Sequence, residues 1–146
     1  MLYHKYMSQL LDYPKISAAR DDIGQIYSTV ERHLVVGISR GNDAPVAVIR
    51  KDDLKKALRA LCPLDPQVRF SEKGEVSMWI DDLPVSSQGG NFEEAERGLI
   101  EALRDYAKTW VEDLKDYPNH KQRWDVVNLI LLSNDDELRA FLFGND

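Results

Sequence analysis

Leu34-Val-Val-Gly-Ile38 and Val46-Ala-Val-Ile49, joined by Ser39-Arg-Gly-Asn-Asp-Ala-Pro45, decide how the first half of the chain folds. Both runs are rich in β-branched residues, and the segment between them is dense in turn formers. Together they predict an antiparallel hairpin with Arg40 at its tip. Upstream, Ile23, Ile26, Tyr27 and Val30 have the i, i+3, i+4, i+7 spacing of an amphipathic helix. Ser17 precedes them, and its hydroxyl can cap that helix by accepting from an orphan N–H. Downstream, Leu54, Ala57, Leu58 and Leu61 predict a second helix, starting near Asp52 and closed by Cys62-Pro63. Tyr3, Tyr6, Met7, Leu10 and Leu11 predict a short helix before Pro14.

Pro63-Leu-Asp-Pro66 marks a boundary. Beyond it, Val68-Arg-Phe70 and Val76-Ser-Met-Trp-Ile80 read as strands around a Glu-Lys-Gly turn, with Val76, Met78 and Ile80 on one face. Leu83 to Gly90 reads as a loop or short edge strand. Asn91 and Glu94 have the spacing of a capping box. They open a long helix whose apolar stripe runs from Phe92 through Leu99, Leu103, Tyr106 and Trp110 to Tyr117, ended by Pro118. Trp124, Val127, Ile130 and Leu131 predict another helix. Leu138, Phe141 and Leu142 predict a last one, capped by Ser133 or Asn134.

The fold class is therefore α+β, with one unit over 1–62 and another over 63–146. The 146 residues suit one domain or two small ones, and 43% apolar with 30% charged composition permits a packed core. Net charge is -6, but it is uneven. Residues 1–61 hold 10 Lys/Arg against 7 Asp/Glu, and residues 62–146 hold 9 against 18. A single cysteine, Cys62, excludes an internal disulfide and lacks partners for zinc. No apolar run approaches the roughly 20 residues that span a bilayer, and the opening residues lack the apolar run of a signal peptide. A cytoplasmic protein without membrane partners is expected.

Residues 14–61 resemble the amino-terminal domain of Phd/YefM-type antitoxins. The matching residues are Ser17, Ala19, Arg20, Ile23, Ile38-Ser39-Arg40 and Val46-Ala47-Val48. Asp43 stands where that family more often has a basic residue. The resemblance implies a homodimer that binds operator DNA, with contacts carried onto Arg20, Arg40, Ser17 and Ser39. Arginine forks suit phosphate or the guanine O6/N7 edge, and Lys15 and Lys5 can add backbone contacts. Without the resemblance, Arg20 and Arg40 read as solvated surface arginines of an α+β domain.

Residues 67–117 are similar to HicB-type antitoxin domains, through Val76-Ser-Met-Trp-Ile-Asp-Asp-Leu-Pro84, Ser87-Gln-Gly-Gly-Asn-Phe-Glu-Glu-Ala95, Leu99 and Glu101-Ala-Leu103. Asp81 replaces a proline of that pattern and Asn91 a threonine. The resemblance implies a small antiparallel sheet on a long helix, without catalysis, that binds a toxin. The apolar stripe of the long helix outruns what a small sheet covers. Its far end is therefore expected to pack on Trp124, Val127, Ile130 and Leu131 or on a second subunit, and Trp110, Tyr117, Trp124 and Phe141 are the candidate toxin contacts. The acidic half suits a basic ribonuclease toxin.

Two other readings stay open: an interaction module that does not bind DNA, and a small metal-dependent nuclease using Asp81 and Asp82. The second is disfavoured because neighbouring strand residues face opposite sides, and no triad or metal set is visible. His4, His33 and His120 lack spaced partners. Gln88-Gly-Gly90 reads as a geometric turn rather than an anion cradle. No cofactor is expected.

Overall fold

Val36, Gly37 and Ile38 pair antiparallel with Val48, Ala47 and Val46, so the hairpin forms in the expected register direction. The computed structural model describes residues 11–144. The helix expected over Tyr3, Tyr6, Met7 and Leu10 lies outside them, as do His4 and Lys5. The chain divides into two compact units, Met1–Leu54 and Lys55–Asp146.

In the first unit, β1 (Asp12–Tyr13), α1 (Ile16–Asp21) and α2 (Ile23–Glu31) precede the hairpin strands β2 (Val36–Ile38) and β3 (Val46–Val48). The strands are shorter than expected, since Leu34 and Val35 are exposed and unpaired with β3. β1 adds to β2 in parallel, Asp12 beside Gly37 and Tyr13 beside Ile38. Tyr13, Ala19, Ile26, Val30 and Val36 form the core, with Ile38 and Val48 packed against it.

The helix expected as one piece after Ser17 is broken at Asp22. Asp22 donates its N–H to the Ala18 and Ala19 carbonyls and offers its own carbonyl to Ile26. Its carboxylate accepts from the Tyr13 hydroxyl at 3.1 Å, which fixes the kink to β1. Ser17 is not the N-cap. Lys15 holds that position in extended conformation, and its carbonyl accepts from Ala19. Pro14 turns the chain straight out of β1, so the helix begins at Ile16 and Ser17 falls inside its first turn.

α3 (Lys51–Leu61) follows, and the division between units falls within it. In the second unit β4 (Pro66–Phe70), β5 (Val76–Ile80) and β6 (Val85–Gly89) form an antiparallel sheet in that order. Leu83 to Gly90 thus contains an edge strand. Val76, Met78 and Ile80 are buried as their alternation requires, under α4 (Phe92–Glu112). Gly89 permits the close approach: a Cβ there would lie 2.6 Å from the Ala95 nitrogen. Its role is therefore geometric.

Asn91 caps α4 by accepting from the Glu94 N–H at 2.9 Å, while the Glu94 carboxylate accepts from Gly90 rather than from Asn91. α4 stops at Glu112, short of Tyr117, and Leu114–Asp116 is a 3-10 turn. Two further helices, α5 (Trp124–Leu132) and α6 (Asp135–Phe143), complete the unit. Asn134 and Glu137 form a reciprocal capping box on α6. Leu99, Leu103, Val127, Leu129, Ile130 and Leu138 are fully buried.

Candidate functional site

Because β1 and β2 are parallel, the chain leaves both at the same end of the first sheet. The Ser39 N–H donates to the Tyr13 carbonyl at 2.9 Å, which continues the pairing by one step. Lys15, Ser17 and α1 therefore emerge beside Ser39 and Arg40. The sequence separates these residues by more than twenty positions, and a strand of two residues unites them. Nothing but an apolar Tyr13 before Pro14 announces that strand.

Arg20 and Arg40 are both exposed, and each has an acidic neighbour. Arg40 Nε donates to Asp43 Oδ2 at 2.8 Å across the loop. Arg20 lies 3.9 Å from Asp21. Counted by unit, residues 1–54 hold 7 Lys/Arg and 7 Asp/Glu. The surplus of the front segment comes from Lys55, Lys56 and Arg59 of α3. Of these, Lys55 pairs with Glu137, and Arg59 lies over the Phe141 ring at 4.5 Å.

Ile23 and Tyr27, one turn apart on α2, are 62% and 70% exposed, and Val46 on β3 is 61% exposed. The sequence placed Ile23 and Tyr27 in the same stripe as Ile26 and Val30, but only the latter two face the core. β3 is a sheet edge. A cavity of about 390 Å³ lies alongside, lined by Tyr27, Val30, Val48 and Arg50 among others.

The four aromatic candidates of the second unit fall into two kinds. Trp110 is half-buried and donates its Nε1 to the His120 carbonyl at 2.8 Å, and Phe141 lies under Arg59. Tyr117 and Trp124 are 56% and 52% exposed. Within this chain Val127 and Ile130 of the expected set are buried, whereas Trp124 and Leu131 face outward. Their positions on α5 oppose the buried face that meets α4.

Asp81 and Asp82 lie in the turn after β5. Asp81 accepts from Trp79 Nε1 at 3.0 Å, and the Asp82 carbonyl accepts from Arg123. Among the described residues no three His, Cys, Asp or Glu side chains are grouped to hold a metal ion. His33 bonds to Asp53 at 2.8 Å and His120 to the Tyr106 hydroxyl at 3.0 Å. Burial pushes the Cys62 thiol up to about 12, and its hydrogen bond to Asp125 adds to the shift. No helix among the described residues is long and apolar enough to cross a membrane.

The family model of PHD-like antitoxins, described as antitoxin of toxin-antitoxin, RelE / RelB, TA system, matches residues 10–143. The chain belongs to this family. The antitoxin is also similar in fold to a crystal structure at 1.80 Å from Syntrophomonas wolfei subsp. wolfei, described as the antitoxin part of a proposed toxin/antitoxin system. The TM-score is 0.74 at 22% identity, over 91% of this antitoxin and 95% of that chain. No curated protein matches it. A cognate toxin partner follows from the family.

Proposed function

We propose that this antitoxin neutralises a ribonuclease toxin by direct binding and represses its own operon as a homodimer on operator DNA. In this reading residues 1–62 are a Phd/YefM-like dimerisation and DNA-binding domain, and residues 63–146 a HicB-like toxin-binding domain. The protein acts in the cytoplasm and catalyses nothing. The observation that carries the DNA role is the parallel β1–β2 pair, which gathers Lys15, Ser17, Ser39 and Arg40 at one end of the first sheet. Arg20 follows in α1. A two-fold dimer doubles these contacts and sets the half-site spacing. The exposed Ile23, Tyr27 and Val46 supply an apolar surface for a second copy.

Tyr117 and Trp124 are the available aromatic contacts for the toxin, since large aromatic side chains dominate interface energetics.

An electrophoretic shift with the DNA upstream of its own gene tests the repressor role. Binding should weaken as salt rises, and Arg40→Ala should weaken it several-fold. No shift at low salt, with or without the toxin, removes the role. A second reading, an interaction module that ignores DNA, is favoured by the Arg40–Asp43 pair and by the balanced charge of residues 1–54. It expects no salt-dependent shift.

A further inference from the structure

The two edges of the second sheet are unlike. β4 begins with Pro66 and carries Arg69, and proline and charge are the usual guards against strand addition. β6 reads Val-Ser-Ser-Gln-Gly, with neither. Among the described residues, no backbone hydrogen bond joins Ser86–Gly89 to anything but β5. α4 lies mainly over β6 rather than over the sheet's centre. Beside the start of β6 the helix borders an open notch of about 390 Å³, with Leu114 at its end. Pro84 and Ser86 form one wall; Ala102, Asp105, Tyr106 and Thr109 of α4 form the other.

We infer that the open edge of β6 and this notch receive an extended strand of the toxin, with a basic side chain of that strand meeting Asp105. The inference rests on the proposed direct binding and names its docking site. A strand laid on β6 completes the backbone pairing, and its side chain beside Ser86 enters the notch. β6 offers five residues, a contact of about 17 Å. Ala102 is small and leaves room for a side chain. Asp105 is exposed and makes no hydrogen bond or ion pair among the described residues. Residues 55–146 hold 12 Lys/Arg and 18 Asp/Glu, a net of -6 by difference. A second copy on this edge would set two such acidic units against each other, whereas a basic toxin strand is attracted.

The test uses the full chain and the product of the adjacent reading frame. Asp105→Arg combined with Thr109→Arg reverses the charge and fills the notch from exposed positions. Calorimetric titration should show toxin binding weakened about tenfold or more, about 1.4 kcal/mol. Hydrogen exchange at amides 86–89 of the wild type should slow in the complex while amides 67–70 keep their rate. Toxin binding by the variant within about twofold of wild type, with amides 86–89 exchanging alike in free and bound protein, would falsify the docking site and leave direct binding intact. A wild type that does not bind the toxin removes both. If the variant instead lowers the oligomeric state of the antitoxin alone, the occupant is a second copy and the inference is overturned.

Discussion

Arg104 on α4 donates from Nη1 to the carbonyl of Ile130 at 2.6 Å, at the last turn of α5. Its Nη2 donates to the Ser133 carbonyl at 2.7 Å and to Asp135 at 2.8 Å. One guanidinium thus gives the Ser133 carbonyl its donor and adds a second, shorter bond to the Ile130 carbonyl, which also accepts from the Ser133 N–H at 3.3 Å. Arg104→Ala should cost about 2 kcal/mol, mainly from the carbonyl bonds, since Asp135 is largely exposed and its ion pair is screened. Arg104→Lys should recover only part of this, because an ammonium lacks the planar fork. Urea unfolding midpoints measure both, and equal stability of all three proteins would show that the clasp is ornamental.

Gly89 meets the first turn of α4 so closely that a methyl group would overlap the Ala95 nitrogen. Backbone cannot yield as a flexible side chain does, so Gly89→Ala should destabilise by about 1–3 kcal/mol. Gly24→Ala is the control. A Cβ there meets nothing within 4 Å, and alanine in a helix should stabilise by roughly 0.5–1 kcal/mol. Thermal melts of the two variants should move in opposite directions.

The second unit was more legible from sequence than the first, and the reason is length. The strict alternation of Val76, Met78 and Ile80 and the long stripe through Leu99, Leu103 and Tyr106 repeat enough periods to fix which side is buried. The first unit depends on elements of two to nine residues. There Ile23 and Tyr27 satisfy the same helical spacing as Ile26 and Val30 yet face outward. Two-residue β1 carries no periodicity, although it gathers the candidate DNA contacts. The stripe overshoots the end of α4 because Tyr117 continues it by residue type, while backbone geometry leaves the helix at Asp113. The Arg40–Asp43 pair was visible as an odd acidic residue in the loop, but its geometry was not.

Cys62 should be slow to react. Its thiol stays protonated to about 12 in the folded protein, against roughly 8.5 for a free thiol. Iodoacetamide at pH 8 should therefore label the native protein far more slowly than the urea-unfolded chain. The same shift links to stability. The native thiol keeps its proton where the unfolded thiol has lost it, so the contribution is complete below about pH 8.5 and falls away as pH rises towards 12. Cys62→Ala should flatten the alkaline limb of the stability profile, and an unchanged limb would show that another group governs it.

Asp43 discriminates between the two readings of the hairpin loop. Its carboxylate accepts from Arg40 at 2.8 Å, with both side chains about two-thirds exposed. Such a surface pair contributes little to folding, typically about 0–1 kcal/mol, so Asp43→Ala should leave the melting temperature nearly unchanged. If Arg40 contacts operator DNA, removing Asp43 frees the guanidinium and deletes a negative charge beside phosphate. Affinity should then rise several-fold, and the gain should shrink at high salt. Arg40→Ala should move affinity the other way, and Asp43→Ala added to it should recover only the part due to phosphate repulsion. Fluorescence anisotropy on the upstream DNA at two salt concentrations reads all four proteins. Asp43→Ala binding no better than wild type would mean that the loop holds Arg40 for its own shape, and the balanced charge of the first unit would then be the better guide to its role.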